Sequence, residues 1–128
     1  MRAATASLLA LIVMAAPARG EDVQLDTEAF LDLMDGRTAS FTYEGEPYGS
    51  EAYHPNRRVI WRSTNGQCME GVWRSIADYL CFQYEAPSCW RVFRTDEDAY
   101  YAVSSDGFRV EFESITDGAF DCTGAPLS

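Results

Sequence analysis

From Thr38 onward, apolar and polar residues alternate with a period of two, in short segments rich in β-branched and aromatic side chains. The spacing predicts strands over about 38–44, 48–53, 57–63, 67–74, 78–85, 89–95, 99–104 and 107–114. The breaks are turn chemistry: Gly45-Glu46-Pro47, His54-Pro55-Asn56, Thr64-Asn65-Gly66, Ser75 to Asp78, Ala86-Pro87-Ser88, Thr95 to Asp98 and Asp106-Gly107. Asn65-Gly66 and Asp106-Gly107 are strong signals for tight hairpin turns. Connections this short force neighbouring strands to run antiparallel, because a parallel return needs a crossover of about a dozen residues. The predicted fold class is therefore mainly β: an antiparallel meander of about eight strands. Such a meander hides its edges by closing into a barrel or by folding into two layers.

One stretch keeps a helical period. Asp26 or Thr27 can cap a helix at about 27–35, Phe30, Leu33 and Met34 share one face, and Gly36 suits the position after its end. It reads as a lid on the sheet. Within the strands, alternation places Met69, Gly71 and Trp73 on one face, with Cys68, Glu70, Val72 and Arg74 on the other. Leu80, Phe82 and Tyr84 likewise oppose Tyr79, Cys81, Gln83 and Glu85. Each Trp precedes an Arg (Trp61-Arg62, Trp73-Arg74, Trp90-Arg91), which reads as Trp inward and Arg outward.

Ahead of this domain stands a leader. Arg2, the apolar run Leu8 to Met14 and the small residues Ala16-Pro17-Ala18 form a signal-peptide pattern. The apolar run is short of the roughly 20 residues a bilayer-spanning helix needs, so no membrane span is expected in the mature chain. The predicted organisation is a signal peptide over 1–18, cleaved after Ala18 or after Gly20, and a single domain over 19–128 whose tail is 115–128. Export implies a periplasmic or secreted protein and makes Cys68, Cys81, Cys89 and Cys122 readable as two disulfides. Three pairings are open; Cys81–Cys89 across a hairpin, leaving Cys68–Cys122 to pin the tail, is the preferred one. No Cys-x-x-Cys spacing favours zinc.

Charge narrows the function. The chain has 20 Asp+Glu against 10 cationic residues, all Arg, for a net charge of −10. That excludes nucleic-acid binding through a basic surface, and the lack of Lys excludes lysine-nucleophile chemistry. Removing the leader takes away only Arg2 and leaves the domain more acidic still. His54, the one histidine, sits in a turn with no nucleophile motif to pair with and reads as exposed. Glu44, Glu46 and Glu51 near the first hairpin, and Glu111 with Glu113 on one face of the last strand, are the candidate acid pairs. Asp96-Glu97-Asp98 lacks the spaced ligands of a calcium loop and reads as a solvated turn. No phosphate cradle or dinucleotide signature is present. No catalytic residue, metal ligand or cofactor is assigned.

The seven Tyr, seven Phe and three Trp remain. Tyr43, Tyr48, Tyr53, Tyr100 and Tyr101 lie beside turns or acids and are the candidate binding residues, at a surface or a pocket mouth. An eight-stranded barrel is just wide enough for a small ligand.

The run Tyr43-x-Gly45-x-x-Tyr48-Gly49-x-Glu51-x-Tyr53, followed by Arg58-Val59-x-Trp61, Gly66-x-Cys68-x-x-Gly71-x-Trp73, Cys81-Phe82-x-Tyr84-Glu85 and Cys89-Trp90, resembles small exported bacterial β-rich domains of unknown function. The resemblance spans roughly residues 36–94 and implies a periplasmic or secreted domain without implying an activity. A more distant similarity is to periplasmic lysozyme inhibitors, small disulfide-bonded β-barrels. Their Ser-Gly-x-x-Tyr-like loop motif is not reproduced; Ser105-Asp106-Gly107-Phe108 is the nearest stretch. The expected function is an exported, non-enzymatic binding domain that contacts a protein or envelope component, with cationic partners favoured by the charge. The alternatives are an inhibitor of a cationic hydrolase, such as lysozyme or a secreted protease, and a small-ligand carrier with a lipocalin-like barrel.

Overall fold

The computed structural model describes residues 2–13 and 20–122. Residues 2–13 are exposed and carry no regular structure; the cleavage point after Ala18 and the end of the tail, 123–128, lie outside the described residues. No helix among the described residues is long and apolar enough to cross a membrane.

The domain opens with a short strand β1 (Val23–Gln24) and one helix α1 (Thr27–Met34). Eight strands follow: β2 (Arg37–Tyr43), β3 (Glu46–Tyr53), β4 (Arg58–Ser63), β5 (Cys68–Ile76), β6 (Tyr79–Gln83), β7 (Pro87–Arg94), β8 (Tyr100–Ser104) and β9 (Arg109–Asp117). Each of these eight pairs antiparallel with its sequence neighbour, and β9 pairs back onto β2 from Arg37↔Asp117 to Thr42↔Glu111. The meander is thus a closed up-and-down barrel, which resolves the choice between barrel and two layers. Closure satisfies the backbone groups that an open sheet would leave along its edges.

Four features depart from the expected outline. β1 was not foreseen; it pairs with Phe93 and Arg94 of β7, and Leu25 N–H donates to Val92 O at 2.8 Å, beyond the point where β6 begins. Strand β9 runs to Asp117, so the tail starts later than 115. Two bulges interrupt the register. Phe41 faces Gly49 while Thr42 faces Pro47, leaving Tyr48 as the extra residue of β3; Ser40 faces Ser114 while Phe41 faces Phe112, leaving Glu113 as the extra residue of β9. A bulge turns a side chain away from its alternating face. Glu113 and Glu111 both stay exposed on the outside of the barrel, so the expected acid pair does not line the interior.

The two ends of the barrel differ. At the end where β3 meets β4 and β5 meets β6, α1 acts as a plug, as its apolar stripe requires. Asp26 caps it by accepting from Ala29 N–H at 2.8 Å, and Phe30 and Met34 are essentially fully buried. The Phe30 ring meets Tyr53 at 5.4 Å, Trp73 at 5.3 Å and Phe82 at 6.5 Å between centroids, each edge to face. Such ring pairs add about 0.5–1.5 kcal/mol each beyond area burial.

The outer wall is tied by disulfides. Cys81 and Cys89 are direct register partners on β6 and β7 and are bonded to each other, and Cys68 is bonded to Cys122. This is the preferred pairing of the three. The tail 118–122 runs back over the wall: Thr38 Oγ1 donates to Gly118 O, His54 Nε2 donates to Phe120 O at 2.8 Å, and Arg62 lies over the Phe120 ring. His54 is therefore half-buried and holds the tail, which corrects its reading as an exposed turn residue. The disulfides place the domain in an oxidising, extracytoplasmic environment.

Candidate functional site

The other end of the barrel is open. Its four turns, 44–45, 64–67, 84–86 and 105–108, surround a cavity of about 210 Å³ that reaches down to Phe30. The wall is aromatic: Phe41, Tyr48, Trp61, Phe82, Tyr84, Trp90 and Phe112, with Met69, Val92, Ala102 and Val110 between them. All three Trp point inward, as alternation predicts, while Arg57, Arg62, Arg91 and Arg109 lie over other rings: Trp73, Phe120, Tyr79 and Tyr101. Above the cavity Phe108 stacks on Tyr43 at 4.5 Å and approaches Tyr48 at 5.6 Å and Trp90 at 6.1 Å. This collar narrows the mouth without sealing it.

Two glycines make room for the wall. A Cβ at Gly49 would stand 2.3 Å from the Trp61 ring, and one at Gly71 would stand 2.7 Å from the Tyr84 ring and 2.4 Å from the Gln83 carbonyl. Glycine inside a strand marks such a close approach. At Gly49 it leaves room for the Trp61 ring; at Gly71 it leaves room for the Tyr84 ring.

That placement of Tyr84 completes a buried polar group. Glu51 points inward from β3, 7% exposed, and is the one buried charged residue among those described. Tyr53, on the same face of β3, donates its hydroxyl to Glu51 Oε1, and Tyr84 donates to Oε2 at 2.6 Å. Each carboxylate oxygen keeps further acceptor capacity, because a carboxylate offers about four lone-pair sites in all. Burial pushes the Glu51 carboxyl above the usual carboxylate range, against the two hydroxyl donors, which pull it down. Burial and the adjacent Glu51 charge push both tyrosine hydroxyls well above their ordinary value. When ionised, an acid held this way among aromatic rings attracts cations and hydrogen-bond donors and repels anions.

The five candidate tyrosines do not form one surface. Tyr43 and Tyr48 stand at the mouth, 37% and 38% exposed, and Tyr48 reaches the cavity because the bulge turns it inward. Tyr53 is buried beside the helix plug and serves Glu51. Tyr100 packs near Phe112 and does not line the cavity. Tyr101 lies on the outer wall, stacked on Phe93 with Arg109 over its ring, and donates to Asp22. Glu44 and Glu46 stay exposed on the first hairpin, and Glu111 is paired with Arg109 on the outside. Glu51 differs from its neighbours in the sequence cluster because its parity matches that of Tyr53. That parity was the signal for it.

No known family model, curated protein or solved structure matches the chain.

Proposed function

We propose that the chain is an exported binding protein, periplasmic or secreted after loss of a signal peptide, that holds a small ligand inside its barrel. Of the three expected kinds of binding, the small-ligand carrier is the reading the geometry supports best. One observation carries it: an open cavity of about 210 Å³ in a barrel whose opposite end is plugged. An apolar cavity of about 150 Å³ takes up benzene, so this one has room for a single substituted ring. The mixture of aromatic walls and one convergent polar cluster is what small-molecule sites use for affinity and orientation.

The test is titration of the mature protein with single-ring compounds, read by the fluorescence of Trp61 and Trp90 in the wall. Saturable quenching that disappears in Ala102→Leu, which fills the cavity from β8, supports the proposal. No response to any compound in unmodified, folded protein removes it.

A second reading rests on the mouth. Tyr43 and Tyr48 are exposed there on a protein of net charge −10, which favours docking of a cationic protein such as a hydrolase. Undiminished lysozyme and protease activity at excess protein would dispose of it.

A further inference from the structure

Among the described lining residues of the cavity one is charged, and it is acidic; the hydroxyl of Ser88, also in the wall, accepts from Trp90. Building on the proposed ligand-binding role, we infer that the ligand is a small organic cation, an amine whose protonated nitrogen is held by Glu51 and whose ring or alkyl body fills the aromatic cavity. Three independent features of the site lead there.

First, Glu51 lines the cavity and is oriented from two sides by Tyr53 and Tyr84, yet its oxygens retain acceptor sites. An ammonium group would satisfy them with charge-assisted hydrogen bonds, which are about twice as strong as neutral ones. Second, the walls around that carboxylate are aromatic, Trp61 and Trp90 among them, and ring faces attract a cation through their quadrupoles. Third, the approach is acidic. The turns at the mouth carry Glu44, Glu85 and Asp106, and Arg109 beside them is paired with Glu111. A carboxylate ligand would meet this field and then Glu51, with no Arg or His among the described residues of the wall to receive it. A fatty acid or aryl carboxylate is therefore the wrong guest for this barrel.

The experiment compares benzylamine, benzyl alcohol and phenylacetate at neutral pH, with dissociation constants from calorimetry and tryptophan fluorescence on the mature protein. Benzylamine is expected to bind at least about tenfold tighter than benzyl alcohol, with phenylacetate weakest. In Glu51→Gln, which keeps the shape of the side chain, the amine should weaken by about tenfold or more while the alcohol changes little. Equal or tighter binding of the alcohol overturns the cationic ligand while leaving the cavity's binding role standing. Absence of binding by all three overturns both. Should Glu51→Gln fail to fold, by near-ultraviolet circular dichroism, the three-ligand comparison on the unmodified protein decides the question alone.

Discussion

The two ends of the barrel are built from the same kinds of side chain and do opposite things. At the plugged end, Phe30 inserts among Tyr53, Trp73 and Phe82, and α1 closes the space above them. At the open end, Tyr48, Trp61, Trp90 and Phe108 ring a gap that no element among the described residues enters. Aromatic content by itself therefore does not tell a core from a pocket. What differs is whether one more side chain arrives from elsewhere in the chain to fill the centre.

Removing that side chain should abolish the difference. Phe30→Ala is expected to cost about 3–5 kcal/mol, measured by urea unfolding, because a fully buried ring leaves a cavity the barrel cannot collapse around. Next come the disulfides, which brace the wall unequally. Cys68–Cys122 spans 54 residues and Cys81–Cys89 spans 8, so loop-closure entropy predicts losses of roughly 4 and 2.5 kcal/mol for paired replacement by Ser. Equal losses would show that tail packing on His54 and Arg62, rather than chain entropy, sets the effect.

The polar cluster between the two ends should show itself through pH. Burial raises the Glu51 carboxyl, so the folded state holds its proton more tightly than the unfolded state. Stability from this group is then full below the usual carboxylate range and is lost as pH rises through the raised value, at up to about 1.4 kcal/mol per pH unit. Glu51→Gln should flatten that slope in a comparison of denaturation midpoints across mildly acidic pH. The raised Tyr53 and Tyr84 act the same way at alkaline pH: above the ordinary tyrosine value of about 10, the unfolded chain loses protons that the folded chain keeps, and stability falls. The smallest effect belongs to the mouth. Phe108→Ala should change stability by under about 1 kcal/mol, since the ring caps a gap rather than filling a core. It should alter ligand exchange instead, seen as faster release in stopped-flow fluorescence.

Most of the wall is legible in the sequence. Period-two alternation placed Met69, Trp73, Leu80, Phe82 and Tyr84 on the inner face, and turn chemistry set the strand limits to within a few residues. The missed features are those without a local pattern. β1 is two residues long and is defined only by its partner strand. The bulges at Tyr48 and Glu113 insert single residues that look like any others in a strand, yet they decide that Tyr48 faces the cavity and that Ile115 rather than Ser114 follows Phe112 on the inner side. Tyr53 lies near a turn, but its parity in β3 sets it inward. Tyr101 has outward parity and is nonetheless covered, because Asp22 reaches it from 79 residues away in the chain. Proximity in sequence gave the candidate tyrosines; proximity in space divides them.

The seam between β2 and β9 carries a consequence for how the protein reaches its native state. Partners along it are up to about 80 positions apart, as Thr38 and Gly118 show, whereas every other junction of the cylinder is a hairpin. Hairpins zip quickly, while a contact this distant must first overcome the entropy of the intervening chain. Until the seam shuts, β2 and β9 present unpaired hydrogen-bonding groups to any passing strand. The Cys68–Cys122 bond, formed early, would draw the end of β9 toward the first half of the chain and shorten that search. In a newly made chain, then, the oxidant that forms this bridge would also limit how long the molecule remains prone to self-association.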